Sequence, residues 1–335
     1  MLGLVSVIIP CRNEARFIGK CLDSIISGDF PKDKLEVLIV DGDSEDRTGE
    51  VVADYARRHS FIRLLHNARR IVPAGLNAAI RSAQGEIVLR MDAHAVYASD
   101  YITKCVRGLN DTAADAVGGI WITLPGDASV LAKVIALVLS HPFGVGNSHF
   151  RLGLKTARQV DTVPFGCYRR NLFTTVGYFN EELVRNQDIE FNLRLKRAGG
   201  TVLLLPDIVC YYYARANLIE LGKQCYGNGF WVIYSHRFCK KSYSARHLVP
   251  FMFVCALLGG LLLAAFSKIA LQAWLGMTLV YIIANLACST RLAIKNKIGR
   301  LHYFFTTFFL MHAAYGLGSL AGFFRLLRIR AAGQV

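Results

Sequence analysis

Short apolar runs alternate with longer stretches of helical period in the N-terminal part of the chain. The runs at 4–10, 35–40 and 86–91 are mostly apolar, interrupted only by Ser6, by Glu36, and by Glu86 and Arg90, and the stretches at 14–27, 45–58 and 74–83 repeat apolar positions every three or four residues. Such near-continuous apolar runs mark strands buried on both faces, and the intervening helices supply the crossovers of βαβ units and a parallel sheet. Ser44 reads as an N-cap, with Glu45 and Asp46 in a first turn where negative charge is favoured. In open sheets of this kind ligands bind beyond the carboxyl ends of the strands, which directs attention to residues 10–14, 41–43 and 92–94.

Past residue 215 the pattern changes, and apolar stretches appear at 248–266, 269–288 and 303–324. Each is near the ~20 residues that cross a bilayer as a helix. The expected organisation is therefore an α/β domain over 1–215, an amphipathic interfacial linker over 216–247 and a transmembrane region over 248–335. Gly318 and Gly322 form a small-xxx-small pair suited to close helix packing. The apolar segment 129–139 is too short to cross, and either packs on the domain or lies in the interface. Arg237, Lys240, Lys241 and Arg246 precede the first span, and Arg291, Lys295, Lys297 and Arg300 follow the second. With only Lys268 at the tip between them, the first two spans read as an outward hairpin and the domain as cytoplasmic. A third full crossing leaves Arg325, Arg328 and Arg330 outside, against that tendency; a re-entrant or interfacial segment removes the conflict.

Composition narrows the classes. With 335 residues, 53% of them hydrophobic, the chain can bury a full core and still supply a membrane region. The net charge of +15 clusters beside the apolar stretches, which favours a lipid bilayer surface over nucleic acid, for which no motif is present. The nine cysteines form no Cys-x-x-Cys pair, so neither zinc nor redox chemistry is suggested and the compartment reads as reducing. Cys210 and Cys255 read as small buried side chains. The start at 4–10 lacks a basic segment before it and reads as a strand rather than a signal peptide. The chain lacks a Gly-x-x-x-x-Gly-Lys loop, which argues against an ATPase, and three spans with few polar groups argue against a transporter.

Three places carry candidate chemistry. Val40-Asp41-Gly42-Asp43-Ser44 puts acidic groups and a turn at a strand end, where Asp41 either holds a ligand or caps a loop. In Asp92-Ala93-His94, two donors one residue apart can share a cation that bridges a diphosphate leaving group, and imidazole shifts preference from Mg2+ toward Mn2+. Within Arg185-Asn186-Gln187-Asp188-Ile189-Glu190, a carboxylate at a helix start can accept a proton, or is an ordinary N-terminal helix acid.

Taken together, Val7-Ile8-Ile9-Pro10-Cys11-Arg12-Asn13-Glu14, the Asp41 strand end, Gly75-Leu76-Asn77-Ala78-Ala79-Ile80, Arg90-Met91-Asp92-Ala93-His94 and Gln187-Asp188 resemble, in this order and spacing, the family 2 inverting glycosyltransferases of GT-A fold. The resemblance covers residues 4–215. Asp92-Ala93-His94, Phe165-Gly166-Cys167-Tyr168-Arg169-Arg170, Asn186 to Glu190 and the apolar tail are most similar to the membrane-bound glucosyltransferases of succinoglycan-type exopolysaccharide assembly. The resemblance implies that Pro10 and Glu14 line the nucleotide pocket, Asp41 contacts the uracil, and Asp92 faces the ribose and the metal-bridged diphosphate. His94 stands where the family commonly has a metal-binding Asp. Asp188 falls at the catalytic base, with Gln187 where Glu is often found. Gln224, in Gln224-Cys225-Tyr226-Gly227-Asn228-Gly229-Phe230-Trp231, sits where membrane-bound relatives carry a Gln-containing motif over the active site. The Arg-Trp ending of that motif is absent, which implies addition of one sugar; Phe230, Trp231 and Tyr234 read equally as interfacial aromatics.

The function so implied is transfer of glucose from UDP-glucose, with Mn2+ or Mg2+, to a polyprenyl-linked sugar at the cytoplasmic membrane, with other polysaccharide-assembly proteins as further partners. The alternatives are glycosylation of polyprenyl phosphate itself, and a catalytically silent membrane scaffold that keeps the nucleotide pocket.

Overall fold

The computed structural model describes residues 3–239 and 245–331. Lys240 and Lys241 of the basic cluster lie outside the described residues. The chain divides into two compact units, Met1–Ile122 with His149–Tyr212, and Thr123–Ser148 with Tyr213–Val335.

The first unit begins as the apolar pattern requires, with β1 (Val5–Cys11), α1 (Ile18–Ile26), β2 (Leu35–Asp41), α2 (Thr48–Arg58), β3 (Ile62–His66), α3 (Val72–Ser82) and β4 (Ile87–Arg90). There follow β5 (Ala95–Tyr97), α4 (Tyr101–Asp111) and β6 (Ala116–Leu124). After an excursion through α5 (Val130–Val138) and α6 (Pro142–Val145) come α7 (His149–Leu152), β7 (Arg158–Gln159), β8 (Cys167–Arg169), α8 (Leu172–Thr175), α9 (Gln187–Arg197) and β9 (Val202–Tyr213). The sheet order is β3-β2-β1-β4-β8-β6-β9-β5, with β7 on β9. Strands β1 to β4 pair in parallel, whereas β8 joins β4 and β6 antiparallel and β9 takes β5 and β7 antiparallel.

Burial on both faces explains the near-continuous apolar runs. Val5, Val7 and Ile9 of β1 pack with Ile18 and Leu22 of α1 and Val52 of α2, while Ile8 packs with Leu76, Ala79 and Ile80 of α3 on the other face. Removing an apolar side chain of this size from water contributes roughly 1.5–3 kcal/mol, so both cores fix the register of β1 against its neighbours. That register sets Cys11 beside Asp41 and Ile8 beside Arg90.

Ser44 does not cap α2. The helix begins at Thr48, and the Ser44 hydroxyl donates to Asp41 Oδ1 instead. Asp46 takes over the local capping role by accepting from the Thr48 amide at 2.9 Å. A carboxylate two residues before the donor reaches it through a tight turn, whereas Ser44 is drawn to the strand end.

The second unit contains α5, α6, α10 (Leu218–Tyr234), α11 (Ala245–Ala264), α12 (Lys268–Lys295) and α13 (Leu301–Ala331). Segment 129–139 forms α5, capped by Ser129, and Val134, Ile135 and Val138 join Leu221 of α10 and Phe304 and Phe308 of α13 in one core. Most of the expected linker is α10, started by Asn217, whose side chain accepts from the Glu220 amide at 2.9 Å. Among the described residues, three helices are long and apolar enough to cross a membrane: Arg246–Ala264, Lys268–Lys295 and Leu301–Ala331. In the third, 44% of the apolar window is buried, against 6% in each of the others. The third apolar stretch therefore serves largely as a packing surface.

Its small residues explain how. A Cβ at Gly318 would run into the Tyr226 carbonyl oxygen, and one at Gly322 would meet the Phe230 carbonyl oxygen at 2.5 Å, so α13 lies directly against the backbone of α10. Replacing Gly318 by Ile is expected to cost about 1–3 kcal/mol through overpacking and to lower the melting temperature in detergent. Gly276→Ala, where an added Cβ meets nothing within 4 Å, is the control that leaves it unchanged. Equal melting of the two variants would show that the α10–α13 contact is not close-packed.

Candidate active site

The parallel strands end at one edge, and their loops are knitted together there. Asn13 adopts a left-handed backbone with φ 56°. Its amide donates to Ser44 Oγ at 2.9 Å, its side-chain oxygen accepts from the Glu45 amide at 2.8 Å, and the Glu14 amide donates to Thr48 Oγ1 at 2.7 Å. The Gly42 amide returns to the Cys11 carbonyl at 2.8 Å. Asp41, half-buried at the end of β2, accepts from both the amide and the hydroxyl of Ser44. It therefore caps its own loop, and Pro10, Glu14 and Asp41 occupy adjacent strand ends by virtue of the β1–β2 register.

The Asp92-Ala93-His94 turn leaves β4 beside this edge. The Asp92 amide donates to Tyr97 Oη at 2.7 Å, and the Arg90 and Met91 amides go to the Gly166 and Ile8 carbonyls, each at 3.0 Å. His94 Nδ1 lies 3.1 Å from Glu14 Oε1, and its ring meets the Tyr212 ring edge-on at 5.2 Å. Burial alone would lower the basicity of this imidazole, but Tyr212, Glu14 and Asp92 outweigh it and push the pKa up to about 9. Glu14 thus faces a histidine, a partner that sequence spacing did not indicate.

Asp188 enters from the start of α9, after Asn186 in the left-handed region at φ 61°. Gln187 is buried, and Glu190 is buried and held by Arg194 Nε at 2.6 Å, so the acidic first turn is divided between a structural carboxylate and a half-exposed one. Arg90 joins the two halves of the site. Its Nη2 donates to Asp92 Oδ1 at 3.1 Å, and its Nη1 stands 3.3 Å from Asp188 Oδ2. Burial disfavours the charge of this guanidinium, but Asp92 and Asp188 more than compensate and raise its pKa. The structure thereby brings Asp92 and Asp188 onto one cation and sets His94 against Glu14. Gln224 lies on α10, in the second unit.

Sequence reasoning assigned no role to Arg90, Tyr97 or Tyr212. Arg90 had a signal: a charged residue closing the strand run Ile87-Val88-Leu89 needs a buried counter-charge.

Asp92 and His94 also fit a divalent cation. Small hard cations take one or two protein ligands and complete their shell from phosphates and water, and among the described residues no group of three His, Cys, Asp or Glu forms an all-protein cage. With Nδ1 held by Glu14, Nε2 is the nitrogen that would be left for an ion, as in the carboxylate–histidine arrangement common behind metal ligands.

The fold is that of a GT-A-type glycosyltransferase. The chain belongs to glycosyl transferase family 2, whose family model matches residues 6–174. It is 30% identical over 225 residues to the succinoglycan biosynthesis protein ExoA of Rhizobium meliloti (strain 1021), covering 67% of each chain. It is 28% identical over 304 residues to the dolichyl N-acetyl-alpha-D-glucosaminyl phosphate 3-beta-D-2,3-diacetamido-2,3-dideoxy-beta-D-glucuronosyltransferase of Methanococcus voltae, covering 88% of this chain and 89% of that one. The mannosyltransferase PcManGT from Pyrobaculum calidifontis, solved in complex with GDP-Man and Mn2+, shares the fold with a TM-score of 0.61 and 22% identity, covering 95% of this chain and 86% of that one.

If His94 is a ligand, the bound ion must displace its proton. Apparent Mn2+ affinity, measured by electron paramagnetic resonance with UDP present, should rise by up to about tenfold per pH unit from about pH 7 to about pH 8.5. In Glu14→Gln the rise should end at lower pH, because a group that raises the imidazole pKa is gone. An affinity independent of pH would remove His94 from the coordination sphere.

Proposed function

We propose that this family 2 glycosyltransferase moves a sugar from a nucleoside diphosphate donor to a lipid-linked sugar at a membrane surface, in a single inverting displacement with Asp188 as base. The observation that carries the reading is the convergence of Asp92 and Asp188 on Arg90 at the carboxyl edge of the sheet. In this reading Pro10, Glu14 and Asp41 lie along the nucleotide, Asp92 faces the ribose and diphosphate, and Gln187 serves the acceptor side.

Asp188 takes the proton of the acceptor hydroxyl as its oxygen bonds to the anomeric carbon. The bond from that carbon to the diphosphate breaks on the opposite face, and its electron pair leaves with the nucleoside diphosphate. Asp92 and His94 are the residues that would hold Mn2+ or Mg2+, which when bound neutralises charge on the leaving diphosphate. Asp188 needs no carboxylate nucleophile beside it, because inversion proceeds without a covalent intermediate. A half-exposed base suits a hydroxyl arriving from outside the fold.

The acceptor class is supported by the Methanococcus relative, whose name specifies a dolichyl phosphate that already carries a sugar. This favours a lipid-linked sugar over bare polyprenyl phosphate. UDP-glucose is the first donor to try, from the similarity to the succinoglycan protein. Helices α11 and α12 are read as a membrane hairpin whose basic flanks, Arg237 and Arg246 before it and Arg291, Lys295, Lys297 and Arg300 after it, lie on the cytoplasmic side.

The test is transfer of labelled glucose from UDP-glucose, and then of other nucleotide-linked sugars, to a membrane lipid extract by purified protein, with Mn2+ and with chelator. Chelator-sensitive label in the lipid fraction is expected, with a loss of roughly a hundredfold or more in Asp188→Asn and UDP binding kept. Full turnover in Asp188→Asn would dismiss it as the base. Absence of transfer with every donor despite UDP binding would support the silent scaffold.

A further inference from the structure

Arg90 is buried, at 8% exposure, yet among the described residues its Nε and Nη1 find no hydrogen-bond acceptor, and Nη1 has only the ion pair with Asp188. A guanidinium retained only for stability is expected to have its donors satisfied, because a buried cation is costly and its unmet donors add to that cost. Here the packing is arranged around the charge instead. The Phe165 ring centroid lies 5.9 Å from the guanidinium carbon, and Phe165 itself is held in the left-handed region at φ 52°. The neighbouring Gly166 carbonyl accepts the Arg90 amide at 3.0 Å, which fixes the strand end from which the side chain departs.

The carboxylates it touches come from different parts of the chain. Asp92 follows β4 directly, whereas Asp188 arrives on α9, and both side chains are more open than Arg90, at 19% and 25% exposure against 9%. Without a cation between them, two carboxylates gathered at one sheet edge would repel, and the longer-range partner Asp188 has no other ion pair among the described residues. A planar fork can hold two carboxylates at a set separation, which an ammonium cannot reproduce.

We propose that Arg90 is a positioning residue for glycosyl transfer: its guanidinium, seated between Asp92 and Asp188, fixes the proton-accepting carboxylate relative to the donor-binding one. The inference rests on the reading of Asp188 as base. Arg90 does not touch the reacting atoms; it acts through Asp188, by limiting where that carboxylate stands when the acceptor hydroxyl arrives. Misplacing such a group by about 1 Å costs on the order of a hundredfold in rate.

The experiment compares wild type, Arg90→Met, Arg90→Lys and Asp188→Asn as purified full chains, using the donor and lipid extract that support wild-type transfer. Steady-state kinetics give kcat and KM, and calorimetry gives UDP affinity. The expected result is a fall in kcat of roughly a hundredfold in Arg90→Met that exceeds any loss of UDP affinity, with partial recovery in Arg90→Lys. An unchanged kcat with only the donor KM raised would overturn the proposal by confining Arg90 to Asp92. Equal kcat and UDP-affinity losses in both variants would overturn it by showing a role in the fold alone. If Arg90→Met does not fold, Arg90→Lys decides: lowered kcat with UDP binding retained supports the proposal, and wild-type kcat refutes it. Full turnover in Asp188→Asn would instead dismiss the base, a failure that is separate from the outcome at Arg90.

Discussion

The parallel register of β1 against β2 and β4 is the constraint on which the site depends. Three strands share a direction, so their carboxyl ends open onto one edge, where the loops carrying Glu14, Asp41, Asp92 and His94 leave the sheet, and Asp188 is brought to Arg90 from the start of α9. The register is set by side chains remote from the chemistry, among them Val7, Ile9, Val37 and Leu89, buried on one face, and Ile8, Leu38 and Val88 on the other. A slip of one residue in β1 would exchange those faces, and no polar contact in the loops could compensate for it. The loops then add precision: Asn13, Ser44, Asp46 and Thr48 tie the ends of β1 and β2 through hydrogen bonds between backbone and short side chains.

On that frame the site is organised as two charged groups, Arg90 with Asp92 and Asp188, and His94 with Glu14. Each sets a cationic side chain from the end of β4 or its turn against an acid from a distant segment, Asp188 or Glu14, and Arg90 meets the local Asp92 as well. The proposed nucleoside diphosphate donor would meet cations as well as carboxylates there, an arrangement suited to stabilising charge as it develops in a site already built for it. Asp43 belongs to neither pair; it is exposed and engaged by Arg70 and His66.

Much of this is legible in the amino-acid sequence because it is local. The strands β1, β2 and β4 and their crossover helices follow from apolar periodicity, and Asp41, Asp92 and Asp188 follow from their place at strand and helix ends. The antiparallel half of the sheet is not legible in the same way. Strands β5, β7 and β8 span only 95–97, 158–159 and 167–169, too short for a periodic signal, and their pairing is set by contacts distant in sequence. The same reason hides the partners of the site. Arg90 and Asp188, or Glu14 and His94, meet only once the sheet is assembled, so the family resemblance places Glu14 at the nucleotide without its histidine partner, and sequence spacing assigns Arg90 no task. In the second unit the Gly318 and Gly322 spacing pointed correctly to close packing, but the partner helix α10 lay inside a stretch that composition alone marked as a linker.

The central claim is a single displacement at the anomeric carbon, driven from one carboxylate. The most direct test is proton NMR of the glycoside first formed with whichever donor supports transfer, comparing its anomeric coupling with that of the donor. The account predicts the opposite anomeric configuration in the product. Retained configuration in the first-formed product would contradict it, because retention requires either a second displacement or front-face attack, neither of which a lone base at Asp188 provides.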